Sequence, residues 1–232
     1  MIYLNEHIME IRYKPNPRII DLRGQWAEEI SAHMKMSEWA IVENRVDIFR
    51  KDNHDRVFVG FRGMGFICHR SDSKSYFPDH AIRFLKFIFS LDGFEKNPLI
   101  DRIGVRSKFC IEYEKNFEEL RDLYASKYIV LSDRAKKIIN AKLVDLAGPW
   151  NFADDLGNFN TQSGPMVKTQ IAQFFNDEIV TQLPDVGLFF DIDYSVKPRK
   201  SMREDEVVKL VGGFAERAWK RNEDFKKIVL EG

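Results

Sequence analysis

This chain of 232 residues has only 2 cysteines and 5 histidines, and it carries no net charge. Its two cysteines, Cys68 and Cys110, are too few for a disulfide scaffold or an all-cysteine zinc site. Both lie in segments that read as strands, where a reduced thiol behaves as a small apolar side chain. The 36 basic residues balance the 36 acidic ones, so no overall field draws the chain to nucleic acid or to a membrane. A local basic patch is still compatible with that balance.

Signal-peptide and membrane-span patterns are also missing. The first residues, M-I-Y-L-N-E-H, lack a basic leader followed by an apolar core. The most apolar run, residues 81–91, contains Arg83 and Lys86 and is far shorter than the ~20 residues that cross a bilayer. The expectation is a soluble protein of the cytoplasm, a reducing compartment.

What the chain does contain is 44% apolar residues and 19 phenylalanines, a composition typical of an ordered globular protein. In the first half, apolar periodicity predicts an alternation of strand, helix, strand, strand, helix and strand. The four strands are expected at 8–13, 39–50, 56–69 and 100–113, and the two helices at 17–34 and 78–91. This order is typical of an α+β protein with a ferredoxin-like β-α-β-β-α-β part, in which two helices cover one face of an antiparallel sheet.

Glycines and polar turns refine this prediction. Gly63 and Gly65 interrupt the third strand and predict a bulge or a close backbone approach. Gly24 lies inside the first helix, where it costs about 1 kcal/mol relative to alanine, and indicates close packing. The polar residues 51–55 predict a hairpin between the second and third strands.

The second half reads as an antiparallel β part followed by a long C-terminal helix. We place a boundary near residue 130, which gives a ferredoxin-like domain at 1–130 and a second domain at 131–232. A capping box at Asn116–Glu119 predicts a short helix to Tyr128, and another at Ser201–Glu204 opens the last helix. Strands are expected at 139–152, 165–175 and 186–196, with a loop at 151–164. Gly212 and Gly213 indicate a kink or a tight crossing in the last helix.

One motif suggests nucleic-acid binding. Residues 62–69, R-G-M-G-F-I-C-H, resemble the third-strand motif of RNA recognition motif domains, whose aromatic side chains stack bases on an open sheet. Met64 and His69 stand where that family has aromatic residues, which leaves Phe66. Alternate positions on the fourth strand add two further guanidiniums. The predicted contacts are Arg62, Phe66, Arg102 and Arg106, and the alternative is a glycine-containing core strand.

A second motif suggests a divalent cation. Asp191 and Asp193 lie two residues apart on a predicted strand, so both carboxylates face the same side. This predicts a metal site at Asp191 and Asp193 in a metal-dependent hydrolase. The nuclease pattern P-D…D/E-x-K fails here because Asp193 stands where that pattern has lysine. A strand with one solvated face explains the same carboxylates without a metal.

No motif combines a nucleophile, a base and a phosphate cradle. There is no Walker loop and no G-x-G-x-x-G, so neither a catalytic residue nor a cofactor is predicted. No two histidines have metal-binding helical spacing, although His69 and His80 could converge near the loop at 70–76.

Four short pieces follow one another along the chain: Met9–Tyr13, Arg56–Phe58, Arg102-Ile103-Gly104-Val105-Arg106 and Phe190–Asp193. In this order they resemble a sporadically distributed, uncharacterised prokaryotic protein family. Ser107 and Lys108 depart from the tyrosine and asparagine usual after the central motif. The resemblance implies a fold and no activity.

The leading functional hypothesis is a non-enzymatic binding or accessory protein, such as a component of a bacterial defence or stress system. An aromatic-rich second helix and a glycine-interrupted last helix suggest surfaces for a protein partner or for self-association. The alternatives are binding of single-stranded nucleic acid on the first sheet and metal-dependent hydrolysis.

Overall fold

A computed structural model describes residues 3–50, 55–129, 132–175 and 181–231 of the chain. These residues form ten strands: β1 (Tyr3–Tyr13), β2 (Glu38–Val42), β3 (Arg45–Phe49), β4 (Arg56–Gly60), β5 (Gly63–Cys68), β6 (Leu99–Glu112), β7 (Gly148–Ala153), β8 (Asn158–Val167), β9 (Val186–Val196) and β10 (Lys200–Ser201). They also form six α-helices: α1 (Arg18–Met34), α2 (Tyr76–Ser90), α3 (Phe117–Lys127), α4 (Asp133–Ile139), α5 (Lys168–Ile171) and α6 (Glu204–Lys226). A π-helical turn, Lys227–Glu231, follows α6.

All the described strands belong to one antiparallel sheet. Nine of them follow the order β2-β3-β4-β5-β1-β6-β9-β8-β7, and β10 pairs with the start of β6. The predicted class is therefore confirmed as mixed α and β with a large antiparallel sheet and a long C-terminal helix. The sheet runs across the predicted boundary near residue 130, because β6 pairs with β9 from Ile103 to Glu112.

One face of the sheet carries the main core. We call it the covered face, because α1, α2, α3 and α6 pack against it. Alternate residues of β1 point into this core, where Met9, Ile11 and Tyr13 are buried. Helix α2, which is apolar around most of its circumference, lies between α1 and α6 and buries six side chains: Phe77, Ala81, Phe84, Leu85, Ile88 and Phe89.

Two predicted long strands are hairpins instead. The segment 39–50 contains β2 and β3, joined at Glu43-Asn44, and the segment 56–69 contains β4 and β5, joined at Phe61-Arg62. Of the two alternatives predicted for Gly63 and Gly65, the bulge is wrong, since β5 pairs with β1 and β4 without a register shift. The close backbone approach is confirmed, because a Cβ at Gly65 would lie 2.5 Å from the carbonyl oxygen of Met9. Two-residue connections close both hairpins, so the alternation resumes on the partner strand instead of continuing along one strand.

The predicted pairing of the second and third strands is confirmed by the β3–β4 pair. In it, Arg45 lies opposite Gly60 and Phe49 lies opposite Arg56. The predicted turn between them, apart from Asp55, lies outside the described residues.

Between residues 139 and 175 the predicted strands are correct only in part: residues 148–152 belong to β7 and residues 165–167 belong to β8. Residues 158–164, which we predicted as part of a loop, belong to β8, and residues 168–171 form α5 instead of a strand. Two inward positions of β8 are Thr161 and Ser163, which are buried although polar. Without apolar residues at those positions, the strand lacks the alternation that predicts it.

The sequence predicts the starts of two helices from capping boxes, and the prediction is correct for α3 and wrong for α6. Asn116 begins α3 as predicted, and its side chain accepts a hydrogen bond from the Glu119 N–H at 2.9 Å. Helix α6 begins at Glu204, later than predicted, because the carboxylate of Glu206 accepts the N–H of Arg203. The predicted kink or tight crossing at Gly212 and Gly213 stays a prediction: Gly212 faces α2, but a Cβ there would make only an ordinary contact, 3.6 Å from Cδ1 of Ile82.

The predicted close packing at Gly24 is wrong. A Cβ at this position would meet nothing within 4 Å, and the residue is exposed.

Within the described ranges, the helices are too short or too polar to cross a bilayer.

Candidate binding surfaces

The face of the sheet opposite the four helices is lined with charged side chains. We call it the open face. It carries side chains that alternate with the core residues of β1, β6 and β9: Glu6, Glu10, Arg102, Arg106, Lys108, Asp191 and Asp193. Since opposite charges face each other across neighbouring strands, this face is a lattice of ion pairs.

The four charged residues singled out on β6 and β9 meet in this lattice. Nη2 of Arg102 lies 3.2 Å from both carboxylate oxygens of Asp193, while Arg106 binds Asp191 through Nε at 3.0 Å and Nη2 at 2.6 Å. Arg102 also donates to Glu10 on β1 at 3.2 Å. The structure therefore joins the predicted nucleic-acid residues of β6 directly to the predicted metal residues of β9.

The aspartates of β9 differ in exposure. The side chain of Asp191 is 7% exposed and that of Asp193 is 32% exposed. Burial, with a smaller effect from the charge of Asp191, raises the pKa of Asp193 although Arg102 and Arg106 lower it. Among the described residues, no three histidine, cysteine, aspartate or glutamate side chains come together as a candidate metal site. Both carboxylates have arginine as their charge partner.

The other two predicted nucleic-acid residues lie apart. Arg62 is exposed in the β4–β5 turn, with its guanidinium 5.8 Å from the ring centroid of Phe61. Phe66 lies on the covered face, fully buried and stacked on Phe77 at 5.7 Å. It cannot stack a base on the open face, where Phe58 of β4 is the neighbouring aromatic ring.

A buried triad on the open face could not be seen in the sequence. Glu6 is 3% exposed, accepts a hydrogen bond from Lys108 and lies 2.9 Å from Nδ1 of His69. Burial raises the pKa of Glu6, but the hydrogen bond from His69 and the charge of Lys108 outweigh it and hold that pKa below its usual value. His80 instead lies on α2, stacked on Tyr76 on the covered side, so the expected convergence of His69 and His80 is wrong.

One end of the open face is covered. A second apolar cluster there joins β1, β6 and β9 to α5 and the segment after it, and comprises Leu4, Cys110, Met166, Ile171, Phe175, Leu183 and Phe189. Lys108 donates to the carbonyl of Phe174 at 2.5 Å, which ties this cluster to the buried triad. The expected open sheet surface is thus smaller than the whole sheet.

An apolar groove lies beside α3, near the β7–β8 end of the sheet. It has a volume of 950 Å³ and is lined mainly by Ala125, Ile129, Ile139, Leu143, Val144 and Leu146. Nearby apolar side chains are unusually exposed, 74% for Ile138 and 70% for Val144. Sequence reasoning missed this groove, because the chain between α4 and β7 reads as part of a strand.

Neither a protein-family model nor a curated protein matches this chain.

Proposed function

We propose that this chain is a non-enzymatic binding protein that recognises an apolar-faced helix of another protein in the groove beside α3. The observation that carries the proposal is the exposure of large apolar side chains in one stretch of sequence. They are Ile138, Ile139, Leu143, Val144, Trp150 and Phe152. Exposed apolar side chains concentrated in this way mark protein-interaction surfaces more often than scattered ones do.

The shape and apolar lining of the groove favour a helix as the occupant. Ala125 of α3 and Ile129, two residues beyond its end, form one wall, and the chain from 139 to 147 forms the other. Amphipathic helices bind in such grooves through apolar residues on a single face. Two carboxylates, Asp122 and Asp145, lie at the groove with one lysine, Lys142, but Asp122 is paired with Arg121 at 2.8 Å. The apolar lining of the groove, more than the charge of its rim, therefore favours the apolar face of the partner.

The experiment is site-specific photo-crosslinking in the native cell. A benzophenone amino acid replaces Val144 in the groove, and in the matched control it replaces Lys209, an exposed residue of α6. We expect an adduct from position 144 that position 209 does not give. Mass spectrometry should map it to a segment with apolar residues at i, i+3 or i+4, and i+7. No adduct at 144, the same adducts at both positions, or an adduct between two copies of this chain would overturn the proposal.

We further propose that the first half is a ferredoxin-like unit enlarged by the hairpin β2–β3. The order β4-β5-β1-β6 is antiparallel throughout, with α1 following β1 and α2 following β5 on the covered face. That arrangement supports the split β-α-β plan predicted from the sequence. In a crystal structure, these four strands and two helices should superpose on ferredoxin-like domains with only β2–β3 left over; a mismatch in strand order would reject the assignment.

We propose a reducing compartment, the cytoplasm, as the location. Cys68 and Cys110 are both free and buried, and burial raises the pKa of both thiols. Neither is poised for disulfide exchange, because the reactive species is the thiolate. Cell fractionation of the native organism tests this location directly.

A further inference from the structure

We propose that a shallow depression at the β4–β5 turn binds the phosphate of a nucleotide unit. The depression has a volume of 540 Å³, within the range of small-ligand sites. It lies on the open face, at the end of the sheet where both hairpins turn. The residues that carry the inference are Arg12, Arg45, Arg62, Phe58, Gly60 and Gly63.

Glycines create the space. Gly60 pairs with Gly63, and Gly63 and Gly65 are both on the open-face side of β5. No side chain therefore rises from the sheet at these positions. A Cβ at Gly60 would lie 2.6 Å from Cβ of Arg45, so a side chain there would displace the arginine. The floor is backbone, which a ligand can approach closely.

Three guanidiniums that have N–H groups free of hydrogen bonds within the described residues surround this floor. Among the described residues, the guanidinium of Arg62 contacts no carboxylate and lies only against the ring of Phe61. Arg45 hydrogen-bonds Asp47 through Nε alone, at 3.0 Å, which leaves its two terminal nitrogens unbonded within the described ranges. Arg12 binds Glu10 through Nε and Nη2.

The local charge is positive although the chain as a whole is neutral. Glu10 is the carboxylate at the depression, and it is shared by Arg12 and Arg102. Asp47 is likewise shared by Arg45 and Arg56. Because Arg102 also pairs with Asp193, the surplus of positive charge comes from Arg62 and from the two arginines that share Asp47. Planar guanidinium forks match the oxygens of a phosphate group, which accepts several charge-assisted hydrogen bonds at once.

An aromatic ring beside the arginines selects a nucleotide among phosphate compounds. The ring of Phe58 lies over Gly65, since a Cβ added to Gly65 would be only 2.4 Å from Cε1 of that ring. The guanidinium of Arg45 is 5.3 Å from the centroid of the same ring. A half-buried ring lying on a sheet is a platform on which a base can stack. Phosphate and base contacts are therefore adjacent, and Phe58 takes the part that the sequence motif gave to Phe66.

The test uses the full chain and isothermal titration calorimetry at low salt. The probes are AMP, adenosine, inorganic phosphate and an unlabelled oligothymidylate. Arg62→Ala is the main variant, because this exposed side chain leaves the fold intact when it is removed. Lys209→Ala, which removes one exposed charge from α6 on the covered side, is the matched control. Phe58→Leu removes the stacking ring and keeps apolar bulk.

We expect AMP to bind, adenosine not to bind, and inorganic phosphate to bind more weakly than AMP. Arg62→Ala should weaken AMP binding about tenfold or more, the loss expected for a charge-assisted hydrogen bond, while Lys209→Ala changes nothing. Phe58→Leu should remove the advantage of AMP over phosphate. Stronger binding of the oligonucleotide identifies a single strand as the source of the phosphate, and stronger binding of AMP identifies a free nucleotide.

Three results would overturn the proposal. The first is no heat with any phosphate probe. The second is an equal loss in Arg62→Ala and Lys209→Ala, which indicates non-specific charge attraction. The third is phosphate binding that a base does not improve. None of these results bears on the groove beside α3, which lies in a different part of the chain.

Discussion

Arg106 binds Asp191 across β6 and β9 with two nitrogens, Nε at 3.0 Å from Oδ1 and Nη2 at 2.6 Å from Oδ2. This two-point geometry is the strong form of an arginine–carboxylate pair. The hydrogen bond to Asp191 is the main cause that raises the pKa of Arg106. The carboxylate that looked like a metal ligand in the sequence is thereby an acceptor for arginine.

Because arginine occupies this carboxylate, we expect millimolar Mg²⁺ or Mn²⁺ to leave the melting temperature unchanged. A cation would have to displace Arg106 from Asp191 and Arg102 from Asp193. Calorimetric melting with and without each metal measures this, since a ligand that binds the native state raises the midpoint. A metal-dependent rise that Asp191→Asn abolishes would restore the metal-dependent hydrolase as a hypothesis.

Phe66 should behave as a core residue. Its ring is fully buried against Phe77, so Phe66→Ala should lower the free energy of unfolding by about 3–5 kcal/mol. Phe58→Ala, at a half-buried ring of the open face, is the control and should cost clearly less. Urea unfolding of both variants supplies the comparison. Equal and small losses would mean that Phe66 is not packed as described.

The strands and helices with regular apolar alternation could be predicted from sequence. Strands β1, β6 and β9 and helices α1, α2 and α6 all bury one regular face, as the pattern requires. The turns inside 39–50 and 56–69 could not be predicted in this way. At Glu43-Asn44 and at Phe61-Arg62, a single strand that continues fits the alternation as well as a turn does. Strand β8 is hidden by polar residues on its inner face.

The candidate sites were predictable only in part, for the same reason. Alternation puts Arg102 and Arg106 on one face of β6, and Asp191 and Asp193 on one face of β9. It does not give the register between β6 and β9, which sets Arg106 opposite Asp193 and Lys108 opposite Asp191. The ion pairs depend on that register, and no local pattern encodes it.

Gly24→Ala should stabilise the protein. The residue is exposed in the interior of α1 and a Cβ there meets nothing, so the gain is the helix-propensity difference of about 1 kcal/mol. The melting temperature should rise by about 2–4 °C. Gly65→Ala is the opposite control, because its Cβ would lie 2.5 Å from the carbonyl oxygen of Met9, a backbone atom. A loss of stability in Gly24→Ala would show that this glycine has a packing role.

His7 should make the protein sensitive to acid. Its ring is 3% exposed, lies between Phe77 and Trp219 at 4.9 and 5.8 Å, and places Nδ1 2.8 Å from Oγ of Ser107. Burial lowers the pKa of His7 to about 3, and the charge of Glu6 offsets only part of that effect. The unfolded chain, in which histidine has a pKa of about 6.5, therefore binds one more proton than the folded chain between these two values.

The sign follows from that difference in bound protons. The free energy of unfolding should fall as the pH drops below about 6.5, by up to about 1.4 kcal/mol per pH unit, and the fall should continue until the folded pKa is reached. Replacing both partners, His7→Phe with Ser107→Ala, removes the titrating ring without leaving the serine unpaired. Urea unfolding from pH 7 to 5 avoids most of the glutamate titration, which is centred near about 4.3 in the unfolded chain. Comparison with the double variant then separates His7 from His33, whose pKa is also lowered by burial. An unchanged slope in the double variant would assign the acid sensitivity in this range to a group other than His7.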